Sequence, residues 1–425
     1  MSGSALLSNT AGVLTTGIIT VGNDFTLTTG SNVNLTGVTV GDDIRVTTTG
    51  TADFATLTAL GGGIDNETDG RNIILTSTGA MFVGHAEAST NFTANAGRFE
   101  TGPATIITGG DINISAPGDI LLGNSRAGGF IAANAGGALN FGTISSGAST
   151  SLVAGTTLTG ANLNAGGAIS LRAGGNVTAT NLVASGTYAP VPDANIFVIS
   201  DGTESVRAMN ANASIGVRAN GVTSGGGWTA GEDIYVQSLG AVALNGLSSG
   251  DDIDILSANG IVLSGVTARG TARDDRAVQF SPGGGSVPAV PPSFSLVAAS
   301  RAGSDINLSA SATGPVTVTT LSAADDIAIT GGAIRVTGSF QTLGQGLIGT
   351  GSDITITGAS ARLSRVAAFT DLRMTTSGNQ DIFDGTAGGL AELISTNGSV
   401  GHNTLRAGTS ATMTAANGPV GGGDG

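Results

Sequence analysis

With 425 residues the chain exceeds one ordinary domain, yet only 11% of it is charged and 4% aromatic, while glycine fills 71 positions. All sixteen basic side chains are arginine. Against thirty acids they leave a net charge of −14, which disfavours nucleic acid and anionic membrane as partners. The absence of cysteine excludes disulfides and thiolate metal sites, and a 40% hydrophobic content that alternates rather than clusters excludes disorder.

In chain order, Met1–Gly22 has no basic n-region, since the first arginine is Arg45, so no secretion signal is expected in this chain. No apolar run approaches the length of a membrane span, so membrane insertion is not expected. Gly22-Asn23-Asp24-Phe25-Thr26-Leu27 is the first clear copy of a short unit, and Gly41-Asp42-Asp43-Ile44-Arg45-Val46 repeats it. A polar stretch, Gly61–Arg71, interrupts the phase before Asn72-Ile73-Ile74-Leu75 restores it. The unit returns at Gly110-Asp111-Ile112 and Gly118-Asp119-Ile120, and from Gly128 to Ala184 short alternating runs are punctuated by Gly-Gly.

The clearest repeat is Gly231–Thr267. Gly231-Glu232-Asp233-Ile234-Tyr235-Val236 recurs nineteen residues on (231 to 250) as Gly250-Asp251-Asp252-Ile253-Asp254-Ile255. Later copies stand at Asp305-Ile306, Asp326-Ile327 and Asp353-Ile354, and Asp381-Ile382-Phe383 keeps the rhythm near the end. Alternation over three to five residues between glycines is too short for helix. Asn-Gly hairpin signals are few, and a fixed period of about twenty residues marks a solenoid. The expected fold is all-β: one right-handed parallel β-helix over 1–425 with coils of about 19–21 residues. Two stretches are expected to leave it as insertion loops, 186–213 and the Pro/Gly-rich 269–294, which holds Pro282, Pro288, Pro291 and Pro292.

Each chemical motif has a plainer reading beside it. The recurring Asp of Gly-x-Asp-Ile would stack up one corner, and the pairs Asp42-Asp43, Asp251-Asp252 and Asp325-Asp326 are the calcium candidates. The favoured reading is that each Asp caps its own turn, so no metal and no cofactor are expected. Thr-x-Thr pairs at Thr26, Thr56, Thr317 and Thr355 do not share one offset from the Asp, which argues against a continuous ice-binding array. His85 and His402 are the two histidines and lie far apart, so a catalytic triad is not expected. The local cluster Arg273, Asp274, Asp275, Arg276 reads as a solvated run, and an enzyme acting on glycans is the least favoured class. Contact candidates are Tyr188, Trp228 and Tyr235, with Arg273 and Arg276. Phe25, Phe54, Phe130, Phe141 and Phe294 are expected to fill the core.

The Gly-x-Asp-Ile-x-(Ile/Val/Leu) unit with its second Gly-x-(Ile/Val)-x-Leu strand resembles the repeats of filamentous haemagglutinin-like adhesins, exported by two-partner secretion or autotransporter routes in Gram-negative bacteria. The resemblance covers nearly the whole chain. It implies a secreted or cell-surface location and a non-enzymatic role in adhesion or biofilm contact. The partner would be a protein or glycan surface, or a second copy joined end to end as a fibre or surface layer. The family's Asn-Pro-x-Gly-Ile secretion signature is not found, so an internal segment of a longer protein, or a divergent member, is expected.

Overall fold

The computed structural model describes residues 3–61, 71–102, 105–186, 194–270, 305–344 and 351–422. Among them every element is a strand or a connection between strands, and every described ladder is parallel. The chain is a β-solenoid of stacked turns. It divides into two units: one takes the described residues up to 194 with 199–201, the other takes 195–198 and those from 202 onward.

In the first unit a coil is a five-residue strand followed by an eight-residue strand. Thr150–Ala154 buries its first, third and fifth residues, the period-2 pattern of one wall. Leu139–Ser146 instead reads inward, outward, inward, then two outward-side residues, Gly142 and Thr143, before inward Ile144 and Ser146. Two successive outward residues turn the corner without ending the ladder, so each coil has three walls. Register is kept at nineteen residues: Leu139 pairs with Leu158, and Leu158 with Val177. Inward columns therefore stack like on like, as in Ile73, Phe92, Ile112 and Ile131, all without solvent exposure. Each buried aliphatic side chain contributes about 1.5–3 kcal/mol. Thr150 continues this column and is also buried, because its hydroxyl meets Ser146 Oγ at 2.8 Å.

Close stacking explains one glycine column. A Cβ on Gly128 would lie 2.0 Å from the carbonyl oxygen of Gly109, and one on Gly147 would lie 2.0 Å from that of Gly128. Backbone meets backbone here, so neither neighbour can yield cheaply. Gly128→Ala is expected to cost about 1–3 kcal/mol, as overpacking does, read as a lower urea midpoint.

In the second unit Ile215, Ile234 and Ile253 are in register at the same nineteen-residue step. Ile253 pairs next with Ile306, 53 residues on (253 to 306), and the described part of that interval holds one further strand, Ile261–Ala268. Later steps lengthen to 21 and 27 residues (306 to 327, 327 to 354) without losing register.

One boundary is corrected. Of the stretch 186–213, residues 187–193 lie outside the described residues, but Ile196–Ser200 and Thr203–Ala211 are strands of the solenoid. Ile196, Val198, Val206 and Met209 point inward and are buried. Pro190 and Pro192 suggested a long break, because proline blocks ladder pairing. Alternation resumes directly after the prolines. Of 269–294, residues 271–294 lie outside the described residues, as do Tyr188, Arg273, Arg276 and Phe294. Phe25, Phe54 and Phe141 are core, whereas Phe130 is only half-buried because it occupies a corner position rather than an inward one.

Candidate functional site: the acidic corner

The residue just before the first inward side chain of most coils is the recurring Asp, Asn or Ser; Phe130, Ala168 and Leu390 take the same place in others. In the first unit Asp43 Oδ1 accepts the Asn72 N–H at 2.7 Å, Asn91 Oδ1 accepts that of Asp111 at 2.8 Å, and Asp111 Oδ1 accepts that of Phe130 at 2.9 Å. The second unit carries the pattern without a break. Asn195 Oδ1 accepts from Ser214 N, Ser214 Oγ from Asp233 N, Asp233 from Asp252 N and Asp252 from Asp305 N. Asp305, Asp326, Asp353 and Asp371 continue it, receiving the N–H groups of Asp326, Asp353, Asp371 and Leu390.

This corrects the expected capping. Each Asp caps the equivalent turn of the next coil, not its own. A buried N–H needs an acceptor, and the corner N–H finds it in the side chain one strand spacing back. Hydrogen bonding of an N–H to a carboxylate contributes more than a neutral pair, about 1.5–3 kcal/mol. Asp111→Ala is expected to lower stability by roughly that amount, whereas Asp111→Asn keeps the acceptor and most of the stability. Urea titration of the two variants separates them.

The second acid of each pair sits beside the ladder. Asp42 Oδ1 accepts the Arg71 N–H at 2.9 Å. Asp325 is fully buried and its Oδ1 accepts from Ser352 Oγ at 2.9 Å. Asp43 also receives the Arg45 guanidinium. Asp251 is buried too. Of the six calcium candidates, Asp42, Asp43, Asp252, Asp325 and Asp326 thus direct a carboxylate oxygen at a protein donor. Among the described residues no three acids or histidines are grouped to hold a metal ion.

Acid density is greatest around Glu232–Asp254. Burial pushes Asp252 up to about 8, against the lowering bond from Asp305 N–H and with the charges of Asp251, Asp305 and Asp233 adding to it. Burial likewise raises Asp233 to about 7, opposed by the Asp252 N–H and aided by Asp251, Glu232 and Asp254. Tyr235 stands on the outward side of its strand, as expected, but is only 6% exposed. Burial and then the Asp254 charge raise its hydroxyl. It is not an open aromatic platform.

Trp228 is corrected outright. It is fully buried in an inward column between Met209 and Leu247, and its Nε1–H donates to the Val206 carbonyl at 3.3 Å. The three glycines before it suggested an exposed loop, but they bring the chain into a corner. Glu204, which no sequence motif singles out, is also fully buried. Its Oε1 accepts the Val206 N–H at 2.7 Å, its Oε2 has no hydrogen-bond partner among the described residues, and burial raises it well above the usual carboxylate range. Its signal was its place two residues before inward Val206, which puts a carboxyl in an apolar column beside Val222.

No protein-family model, curated protein or solved structure matches this chain.

Proposed function

We propose that this chain is a structural β-helix segment of a bacterial surface adhesin or stalk, which acts outside the cell by presenting side chains to a protein or glycan surface. The observation that carries this reading is the corner ladder. Eight successive side-chain-to-backbone bonds from Asn195 to Leu390 tie each coil to the next. Their acids serve the stack, and outward wall side chains such as Arg335, Thr337 and Arg362 stand exposed for contact. The resemblance of the repeat unit to haemagglutinin-like adhesins supports the same reading.

Beads coated with the folded chain should be retained on a cell layer or biofilm, and beads carrying the Ile253→Asp chain should not. Equal retention of both would sink the proposal.

A further inference from the structure

Three consecutive coils of the second unit carry an arrangement that stacking alone does not reward. Arg335 and Arg362 are directly opposite in register on an outward column, both exposed. Neighbouring parallel strands lie about 4.8 Å apart, and like charges directly opposite on a sheet are destabilising. Arg362 has one weak ion pair, its Nε 3.7 Å from Asp381, with both side chains more than half exposed. Around the bend of the same strand, Arg365 is exposed and stands opposite Asp384. Between Asp381 and Asp384, at the corner itself, Phe383 is 63% exposed. Thr337 and Ser339 line the approach from the preceding coil and are also exposed.

We propose that this strip binds a carboxylated polysaccharide, laid along the stack across Arg335, Arg362 and Phe383. This names a partner class for the contact role proposed above and rests on that reading. Guanidinium forks match planar carboxylates in two parallel hydrogen bonds, so two stacked arginines suit a polymer whose carboxylates recur at intervals of about one sugar unit. The exposed ring face of Phe383 carries partial negative charge and attracts the C–H face of a pyranose. Asp381 and Asp384 can accept hydrogen bonds from sugar hydroxyl groups, and the Thr337 and Ser339 hydroxyls can accept or donate. The same two acids, with the net charge of −14, disfavour a densely charged polyphosphate such as nucleic acid.

The test is affinity electrophoresis of the full chain through gels containing polygalacturonate, its methyl ester, or dextran, in EDTA so that calcium bridges play no part. Polygalacturonate should retard the chain, and the ester and dextran should not. Arg335→Gln with Arg362→Gln should weaken retardation at least tenfold, and Phe383→Ala should weaken it even at high salt. Melting curves matching the parent would show that the variants fold, which is expected because all three side chains are exposed. Equal retardation by acid and ester, retention of binding in the double variant, or no retardation of the parent would each overturn the inference. Adhesion assays keep the two proposals apart. Beads carrying the double variant that still adhere to cells would leave the adhesin reading standing without this site, whereas failure of parent beads to adhere would remove the broader reading.

Discussion

Ile253→Asp is expected to abolish the cooperative melting of the coils around it. Ile253 is fully buried, paired with Ile234 on one side and Ile306 on the other. A carboxylate there loses the apolar transfer energy of the isoleucine and places a charge where no donor faces it. An unpaired buried charge costs several kcal/mol even after relaxation, and effects above about 4–5 kcal/mol belong to this kind of mechanism. In a repeat array each coil is held by its neighbours, so loss of one interface weakens both sides. Circular dichroism should show a broadened, earlier transition or loss of β-signal at room temperature. A melting curve like the parent's would mean that Ile253 does not point inward.

The second large effect is a fall in stability as pH rises. Asp233 and Asp252 move from 3.8 to about 7 and about 8 on folding, mainly through burial. Between the unfolded value and these raised values, the folded chain keeps protons that the unfolded chain has released. Stability contributed by these groups is therefore complete below about pH 4, declines through neutrality and is fully lost above about pH 8. Each tenfold gain in proton affinity on folding corresponds to about 1.4 kcal/mol, so the two acids together represent on the order of several kcal/mol. Glu204, raised in the same direction, adds to the slope. The chain should melt at a lower temperature at about pH 8.5 than at about pH 5.5. Asp233→Asn with Asp252→Asn should flatten most of that difference, because each amide oxygen still accepts the next coil's N–H while the titrating proton is gone. A parent chain whose melting temperature rises with pH across this window would contradict the burial of these acids.

The stack was legible where side-chain type and period agree. Gly-x-Asp-Ile places a corner acceptor beside an inward isoleucine, and its nineteen-residue recurrence from Asp233 to Asp252 is the register the strands adopt. What the Asp does was half legible. Its turn role follows from residue chemistry, but whether the acceptor serves its own turn or the next depends on three-dimensional stacking, which no local motif records. Trp228 and Tyr235 were misread for different reasons. Trp228 follows three glycines and so looks accessible, yet it enters an inward column, whereas Tyr235 does face outward as alternation says, and an outward place on a strand does not by itself leave a side chain exposed. Glu204 escaped notice because alternation counts apolar positions, and a carboxyl among them reads as outward. The Arg335 and Arg362 pair lies 27 residues apart (335 to 362), off the usual period, so only the observed register brings them together.

The most direct measurement is thermal melting of the chain in millimolar calcium and again in excess EDTA. The corner acids already direct their oxygens at backbone and side-chain donors, from Asp43 with Asn72 N–H to Asp326 with Asp353 N–H. Superimposable curves are therefore expected. A melting temperature several degrees higher in calcium, lost again on chelation, would mean that the acids form an ion-binding column and that the ladder is not what holds the coils together.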